Sequence, residues 1–184
     1  MKGIIELTSG SYWQPLLDSP CAEALRPRSC LYVGAHVGGG MSFLPELDFA
    51  GYNVTIVEAF PSNAEKIQAE FPGRYQVILS DVRAFVPSAK YDLVIWWHGP
   101  EHVTVDEADK ALATLDAAST QWTIVGCPFG NYTQGAIYGN EYERHVTATM
   151  PEFFSSRGYE VQALGNVDNC GIIIAWKNKG VTRG

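Results

Sequence analysis

Residues 29–40 read Ser-Cys-Leu-Tyr-Val-Gly-Ala-His-Val-Gly-Gly-Gly, a short apolar strand that runs directly into a glycine-rich turn. A second apolar strand follows at residues 54–57 and ends at a single carboxylate, Glu58. Glycines let a ligand approach bare backbone, and a carboxylate after the next strand can accept hydrogen bonds from both hydroxyls of a ribose. The order strand, glycine turn, helix, strand, acid therefore predicts a pocket for a ribose-containing nucleotide.

The composition indicates one globular domain. The chain has 184 residues, 46% of them hydrophobic, which is enough for a full core. The net charge of −7 argues against nucleic acid as a partner, because non-specific binding needs a basic surface. No signal peptide and no bilayer-spanning apolar run is visible, so we expect no membrane partner and a cytoplasmic location. The cysteines lack a CxxC pair and are expected to be free thiols: Cys21, Cys30, Cys127 and Cys170.

Apolar runs alternate with helical patterns along most of the chain. This alternation predicts a doubly wound α/β sheet that is mostly parallel. The predicted strands are residues 30–33, 54–58, 75–79, 91–97 and 122–127. The predicted helices are residues 41–49, 62–70 and 105–118, the second of which begins with the capping-box pattern Ser62-Asn63-Ala64-Glu65.

The last third of the chain breaks the alternation. A short helix at residues 151–157 precedes two strands, at residues 159–164 and 171–177. The Gly, Asn and Asp residues between those strands tolerate positive φ, which favours an antiparallel hairpin. We therefore expect about seven strands in one domain over residues 1–184, with residues 1–28 as an N-terminal lid segment.

Five parallel strands, a glycine turn and a terminal hairpin resemble the class I S-adenosylmethionine-dependent methyltransferases, over about residues 29–177. Gly34 and Gly38 match two glycines of the first motif of that family. Tyr91-Asp92-Leu93-Val94-Ile95 looks like the fourth strand of the family, and Gly99-Pro100-Glu101-His102-Val103 looks like the segment that follows it. The resemblance implies S-adenosylmethionine as cofactor and methyl transfer to a small molecule or an exposed group.

The same resemblance implies which residues contact the cofactor. Glu58 would bind the ribose, and Asp81 with the Val82 amide would bind the adenine. Two positions depart from the family motif: Tyr32 stands where an acid is expected, and His36 stands at the middle glycine. The full set of expected cofactor contacts is Gly34, His36, Gly38, Glu58, Ala59, Asp81, Val82 and His98.

Histidines are the candidate catalytic residues. His98, His102 and His145 all follow predicted strands whose carboxyl ends meet at one sheet edge, where ligands bind in open α/β sheets. We expect His98 and His145 to be the catalytic pair, because a neutral imidazole can act as a base near neutral pH. A metal held by His98, His102 and either Glu101 or His145 is the alternative, but Pro100 interrupts a helix there, so no metal is predicted.

The segment 128–150 is long for a connection, and it combines aromatic residues with glycines. Such a segment favours a mobile substrate cover with glycine hinges, Gly126 among them. Two other functions stay open. A catalytically inactive methyltransferase-like module, which binds a nucleotide or acts as an interaction module, would explain Tyr32 and His36. A nicotinamide-dependent reductase is less favoured, because no GxGxxG and no Tyr-x-x-x-Lys occurs. The oligomeric state and the methyl acceptor are not predicted.

Overall fold

A computed structural model describes residues 29–36, 51–130, 132–164 and 171–180. Several predictions concern residues outside these ranges, among them the lid segment 1–28, Gly38, the helix 41–49 and the turn of the hairpin at 165–170. The described elements follow one another in the expected order. They are β1 (Ser29–Val33), β2 (Asn53–Glu58), α1 (Pro61–Glu70), β3 (Gln76–Leu79), β4 (Tyr91–Trp97), α2 (Val105–Ala118), β5 (Ser119–Phe129), α3 (Pro151–Ser155), β6 (Glu160–Leu164) and β7 (Gly171–Asn178).

The strands form one seven-stranded sheet in the order β3-β2-β1-β4-β5-β7-β6. Strands β1 to β5 are mutually parallel, whereas β7 is antiparallel to both β5 and β6. The predicted fold class, a doubly wound and mostly parallel sheet with a final antiparallel pair, is therefore confirmed.

Both faces of the sheet are covered, which explains why β4 is almost continuously apolar. Successive side chains of a strand point to opposite faces, so Leu93, Ile95 and Trp97 join the core cluster beneath α1. Val94 and Trp96 join the cluster on the other face, where α2 and α3 pack. Trp96 is in the core, as expected, with 1% of its surface exposed.

Helix α2 has the predicted bounds, and its sequence explains them. Its buried residues recur at helical spacing on one face: Ala108, Ala111, Leu112, Leu115 and Ala118. A capping box at Thr104 and Glu107 satisfies amides at its first turn. The predicted capping box at Ser62 is wrong. Helix α1 begins one residue earlier at Pro61, whose ring fixes a helical φ, and no side chain caps it.

The described cysteines and helices can be compared with the expectations from composition. Cys30 and Cys127 are buried free thiols, as predicted, whereas Cys21 and Cys170 lie outside the described residues. Within the described ranges, no helix has the length and apolar character that crossing a membrane requires.

Candidate functional site

A cavity of about 390 Å³ opens where the parallel strands end. Its walls come from the turns after β1, β2, β3 and β4 and from the loop that follows β5. Every predicted site residue within the described ranges lines it: Gly34, His36, Glu58, Ala59, Asp81, Val82, His98 and His145.

The turn after β1 depends on Gly34. Its φ is +76°, in the left-handed region that favours glycine. Its amide donates to the Val57 carbonyl at 2.9 Å, which draws the end of β1 onto the end of β2. This bond places Gly34 beside Glu58, the acid that ends β2.

Glu58 is a buried carboxylate, with 6% of its surface exposed. One oxygen accepts a hydrogen bond from the Phe60 amide at 3.0 Å. Burial raises the pKa of Glu58, while the bonds from Phe60 and from the Asn63 side chain act in the opposite direction. A carboxylate kept in this way inside a cavity is suited to bind a ligand that brings its own hydrogen-bond donors.

His36 contacts the loop that follows β5. Its Nδ1 lies 3.3 Å from Glu143 Oε1, and the Asn63 side chain approaches the same nitrogen at 3.4 Å. The hydrogen bond to Glu143 raises the pKa of His36, and the same bond lowers the pKa of Glu143. The pair therefore joins the glycine turn to the opposite wall of the cavity.

Asp81 is paired with Arg83 two residues later. Its carboxylate accepts from the Arg83 amide at 2.8 Å and from Arg83 Nε at 3.0 Å. The Arg83 side chain lowers the pKa of Asp81. Arg83 also lies 3.6 Å from Glu107, so two carboxylates surround its charge.

The turn after β4 brings the remaining polar residues together. His98 has a φ of +48°, a strained conformation for a residue other than glycine, and its amide donates to the Gly126 carbonyl at 2.7 Å. His98 Nδ1 lies 3.2 Å from an oxygen of Glu101, whose side chain is buried. The rings of His102 and His145 meet edge to face, 4.9 Å apart.

The charges lining the cavity are mainly negative. Its described lining holds four carboxylates, and Arg83 is the one lysine or arginine among those residues. The carboxylates are Glu58, Asp81, Glu101 and Glu143. Such a lining favours a cationic ligand and offers little to a phosphate.

The loop after β5 differs from the predicted cover in three respects. Strand β5 continues to Phe129, so Phe129 belongs to the core. Tyr132 and Tyr142 line the cavity, but Tyr138 is 99% exposed. Gly126 is not a hinge, because it lies within β5 beneath the Trp97 ring.

Three residues that line the cavity are not predicted from the sequence: Arg83, Gln134 and Glu143. The spacing of Asp81 and Arg83 was a usable signal, since an acid and a base two residues apart in a turn can pair. No local signal identified Glu143, because its partner His36 is more than a hundred residues away in the chain.

No protein-family model matches the sequence, and no curated protein matches it either. Solved structures do. DhpI in complex with S-adenosylhomocysteine matches with a TM-score of 0.65 and 13% identity, covering 91% of this chain and 88% of that one. The Burkholderia thailandensis 1,6-didemethyltoxoflavin-N1-methyltransferase, also with S-adenosylhomocysteine bound, matches with a TM-score of 0.63 and 18% identity, over 90% of this chain and 77% of that one.

The N-methyltransferase NodS from Bradyrhizobium japonicum matches with a TM-score of 0.60 and 12% identity, covering 88% of this chain and 98% of that one. The chain has the class I methyltransferase fold. In this class I methyltransferase fold, the cavity lies at the carboxyl ends of the parallel strands, which is where open α/β sheets bind ligands.

Proposed function

We propose that the protein binds S-adenosylmethionine and transfers its methyl group to a small molecule or to an exposed group on a larger one. The observation that carries the proposal is Glu58, a buried carboxylate that faces the cavity from the end of β2, beside the glycine turn. A ribose with two free hydroxyls supplies two further hydrogen-bond donors to such a carboxylate.

The charge of the cavity supports this cofactor over a dinucleotide. A sulfonium is cationic, and four carboxylates line the cavity. A pyrophosphate would instead need cations, and the described lining offers Arg83 alone, already paired with Asp81. Asp81 and the Val82 amide are the proposed adenine contacts, and Gly34, His36, Ala59 and His98 complete the described part of the proposed set.

When bound, S-adenosylmethionine would supply an electrophilic methyl group. The protein's contribution is then largely alignment, which by itself is worth effective molarities on the order of 10⁵ M or more. An acceptor that must lose a proton also needs a base. His98 and His145 both line the cavity and are the proposed bases. Glu101 orients His98: a proton on Nδ1 would bond the carboxylate and leave Nε2 free to accept another.

Calorimetric titration with S-adenosylmethionine and S-adenosylhomocysteine tests the proposal. Replacing Glu58 with alanine removes the ribose contacts and should weaken binding by about 2 kcal/mol, roughly 30-fold. Glu65→Ala is the matched control, because Glu65 is exposed on α1 and should leave affinity unchanged. Equal affinity in the Glu58 and Glu65 variants, or no binding of either ligand at millimolar concentration, would refute the proposal.

A binding module without turnover is the second candidate. Its support is Tyr32, which is buried in the core at the position where the resemblance places an acid. Tight binding of the cofactor together with no methyl transfer to any acceptor in a broad panel would favour this second function.

A further inference from the structure

Three side chains of metal-binding types converge where the turn after β4 meets the loop after β5, in the wall of the cavity. Glu101, His102 and His145 each offer one ligand atom, and these atoms all lie within 4.8 Å of one another. His102 Nε2 is 3.8 Å from an oxygen of Glu101. Glu101 is 1% exposed, so its carboxylate is held inside the protein rather than in solvent.

Both imidazoles are oriented as metal-binding histidines are. His102 Nδ1 lies 3.2 Å from the Arg144 carbonyl, and His145 Nδ1 lies 2.8 Å from the Tyr132 carbonyl. A carbonyl can only accept, so Nδ1 of each ring is the donor, and in the neutral ring the lone pair then lies on Nε2. A ring N–H bonded to a backbone carbonyl is the usual outer-shell support of a histidine ligand.

Backbone bonds hold the two halves of the cluster together. The Glu101 carbonyl accepts from the Val146 amide at 2.8 Å and from the Thr147 amide at 3.2 Å. The Thr147 hydroxyl donates to the Val103 carbonyl at 2.6 Å. These bonds dock the segment that carries His145 directly onto the turn that carries Glu101 and His102.

Two buried atoms at this place lack partners. Glu101 Oε2 and His98 Nε2 have no hydrogen-bond partner among the described residues. A buried carboxylate oxygen without a partner is costly, because burial removes its water and no protein donor replaces that water. A cation beside Glu101 would remove that cost, whereas the proximity of two imidazoles alone does not.

We propose that Glu101, His102 and His145 bind one divalent cation. Two nitrogen ligands favour Mn²⁺, Fe²⁺, Co²⁺ or Zn²⁺ over Mg²⁺ and Ca²⁺, which prefer oxygen. In a tetrahedral site, ligand bonds of about 2.1 Å place ligand atoms about 3.4 Å apart. A pair of ligand atoms 4.8 Å apart therefore has to close by roughly 1.4 Å on binding the ion. The expectation of no metal assumed that two histidines would have to share a helix; here a 3₁₀ turn, Pro100–His102, and a separate loop supply the ligands.

The role of the ion rests on the proposed function. An acceptor oxygen bound to the cation would become more acidic, and its proton could pass to the lone pair of His98 Nε2. His145 would then be a ligand rather than a base, which leaves His98 as the group that accepts the proton.

Metal binding can be tested without an acceptor. The protein is stripped with a chelator and titrated with Co²⁺, following its visible absorption, and then with Zn²⁺ and Mn²⁺ by calorimetry. One equivalent of Co²⁺ should bind, and the visible absorption of the bound Co²⁺ should be that of an ion with nitrogen and oxygen ligands. Glu101→Gln, His102→Ala and His145→Ala should each weaken binding at least tenfold. Glu65→Gln is the control, since Glu65 is exposed on α1 outside the cavity and should not change Co²⁺ binding.

S-adenosylhomocysteine titration of the same variants reports their folding and keeps the two proposals apart. Normal binding of S-adenosylhomocysteine together with loss of Co²⁺ in the cluster variants supports the metal site. No Co²⁺ bound at micromolar concentration by the unmodified protein, or equal Co²⁺ binding in all four variants, would overturn the site even where the cofactor binds. Co²⁺ binding without cofactor binding would overturn the proposed function and leave the metal site standing.

Discussion

His36 and His145 lie on the same cavity, yet their surroundings move their pKa values in opposite directions. The hydrogen bond to Glu143 raises the pKa of His36 above its ordinary value of 6.5. Burial lowers the pKa of His145 below the same value. Titration by NMR of the chelator-treated protein should therefore show His36 losing its proton at a higher pH than His145. Glu143→Gln should lower the pKa of His36; a reversed order, or no change in this variant, would contradict the structure.

The hydrogen-bonded pair of His36 and Glu143 predicts how the free energy of unfolding depends on pH. A raised pKa of His36 in the folded state means that its contribution is complete below about pH 6.5 and is lost as the pH rises through the folded pKa. The lowered pKa of Glu143 means that its contribution is complete above about pH 4.5 and is lost as the pH falls through its folded pKa. Because both side chains are partly exposed, the change in free energy of unfolding is small.

Residues whose place in the cavity follows from backbone position could be predicted from the sequence. Gly34 and Glu58 are examples, because a turn after one strand and an acid after the next must meet at the same sheet edge. Glu143 could not be predicted, since its place depends on how a loop with little regular structure folds back onto the cavity. Both oxygens of Asp81 contact Arg83, a pairing that local sequence allows but does not require.

Within strand β5, Gly126 is required by packing. A Cβ atom at this position would lie 2.3 Å from the Trp97 ring, which is itself 1% exposed. Gly126→Ala should therefore lower the free energy of unfolding by about 1–3 kcal/mol, the usual effect of overpacking. Urea denaturation followed by circular dichroism measures the change.

Gly135→Ala is the matched control for that experiment. No heavy atom lies within 4 Å of a Cβ at Gly135 among the described residues, so this variant should match the original or exceed it by a few tenths of a kcal/mol. Equal stability of the two variants would show that Trp97 moves freely and that the tight fit is not a constraint.

Elements with strong periodicity were predictable nearly to the residue. Strand β4 and helix α2 have the predicted bounds, because long apolar runs and a helical stripe of buried residues dominate local preferences. The start of α1 was wrong because a capping-box pattern competes with a proline just before it. The end of β5 was placed too early because Pro128 suggests a break, yet it pairs with Ile172 of β7.

Ligand binding should stabilise the whole molecule. A ligand that binds only the folded state at a hundred times its dissociation constant adds about 2.7 kcal/mol. For a chain of this size that is a rise in Tm of roughly 5 °C or more. S-adenosylhomocysteine should produce this rise, and NAD⁺ should not, because the described cavity lining offers a pyrophosphate no unpaired cation. A rise with NAD⁺ and none with S-adenosylhomocysteine would favour a reductase.

Sequence patterns alone do not predict the full strand order of the sheet. Alternating strands and helices predicted a parallel sheet, and the glycine-rich connection predicted a final hairpin. Nothing local indicates that β7 lies between β5 and β6, because that arrangement depends on which strand of the final pair joins β5. The burial of β7 from Gly171 to Ala175 is the physical reason: its isoleucines complete both core clusters.

The position of β7 has a consequence for protein synthesis. It is the last of the described strands to leave the ribosome, yet it pairs with β5 from Trp122 to Phe129. Until residues 171–178 have emerged, the backbone N–H and C=O groups along one edge of β5 have no partner strand. The nascent chain therefore passes through a stage in which that edge is open to strands of other chains, and slow translation of this segment would promote aggregation.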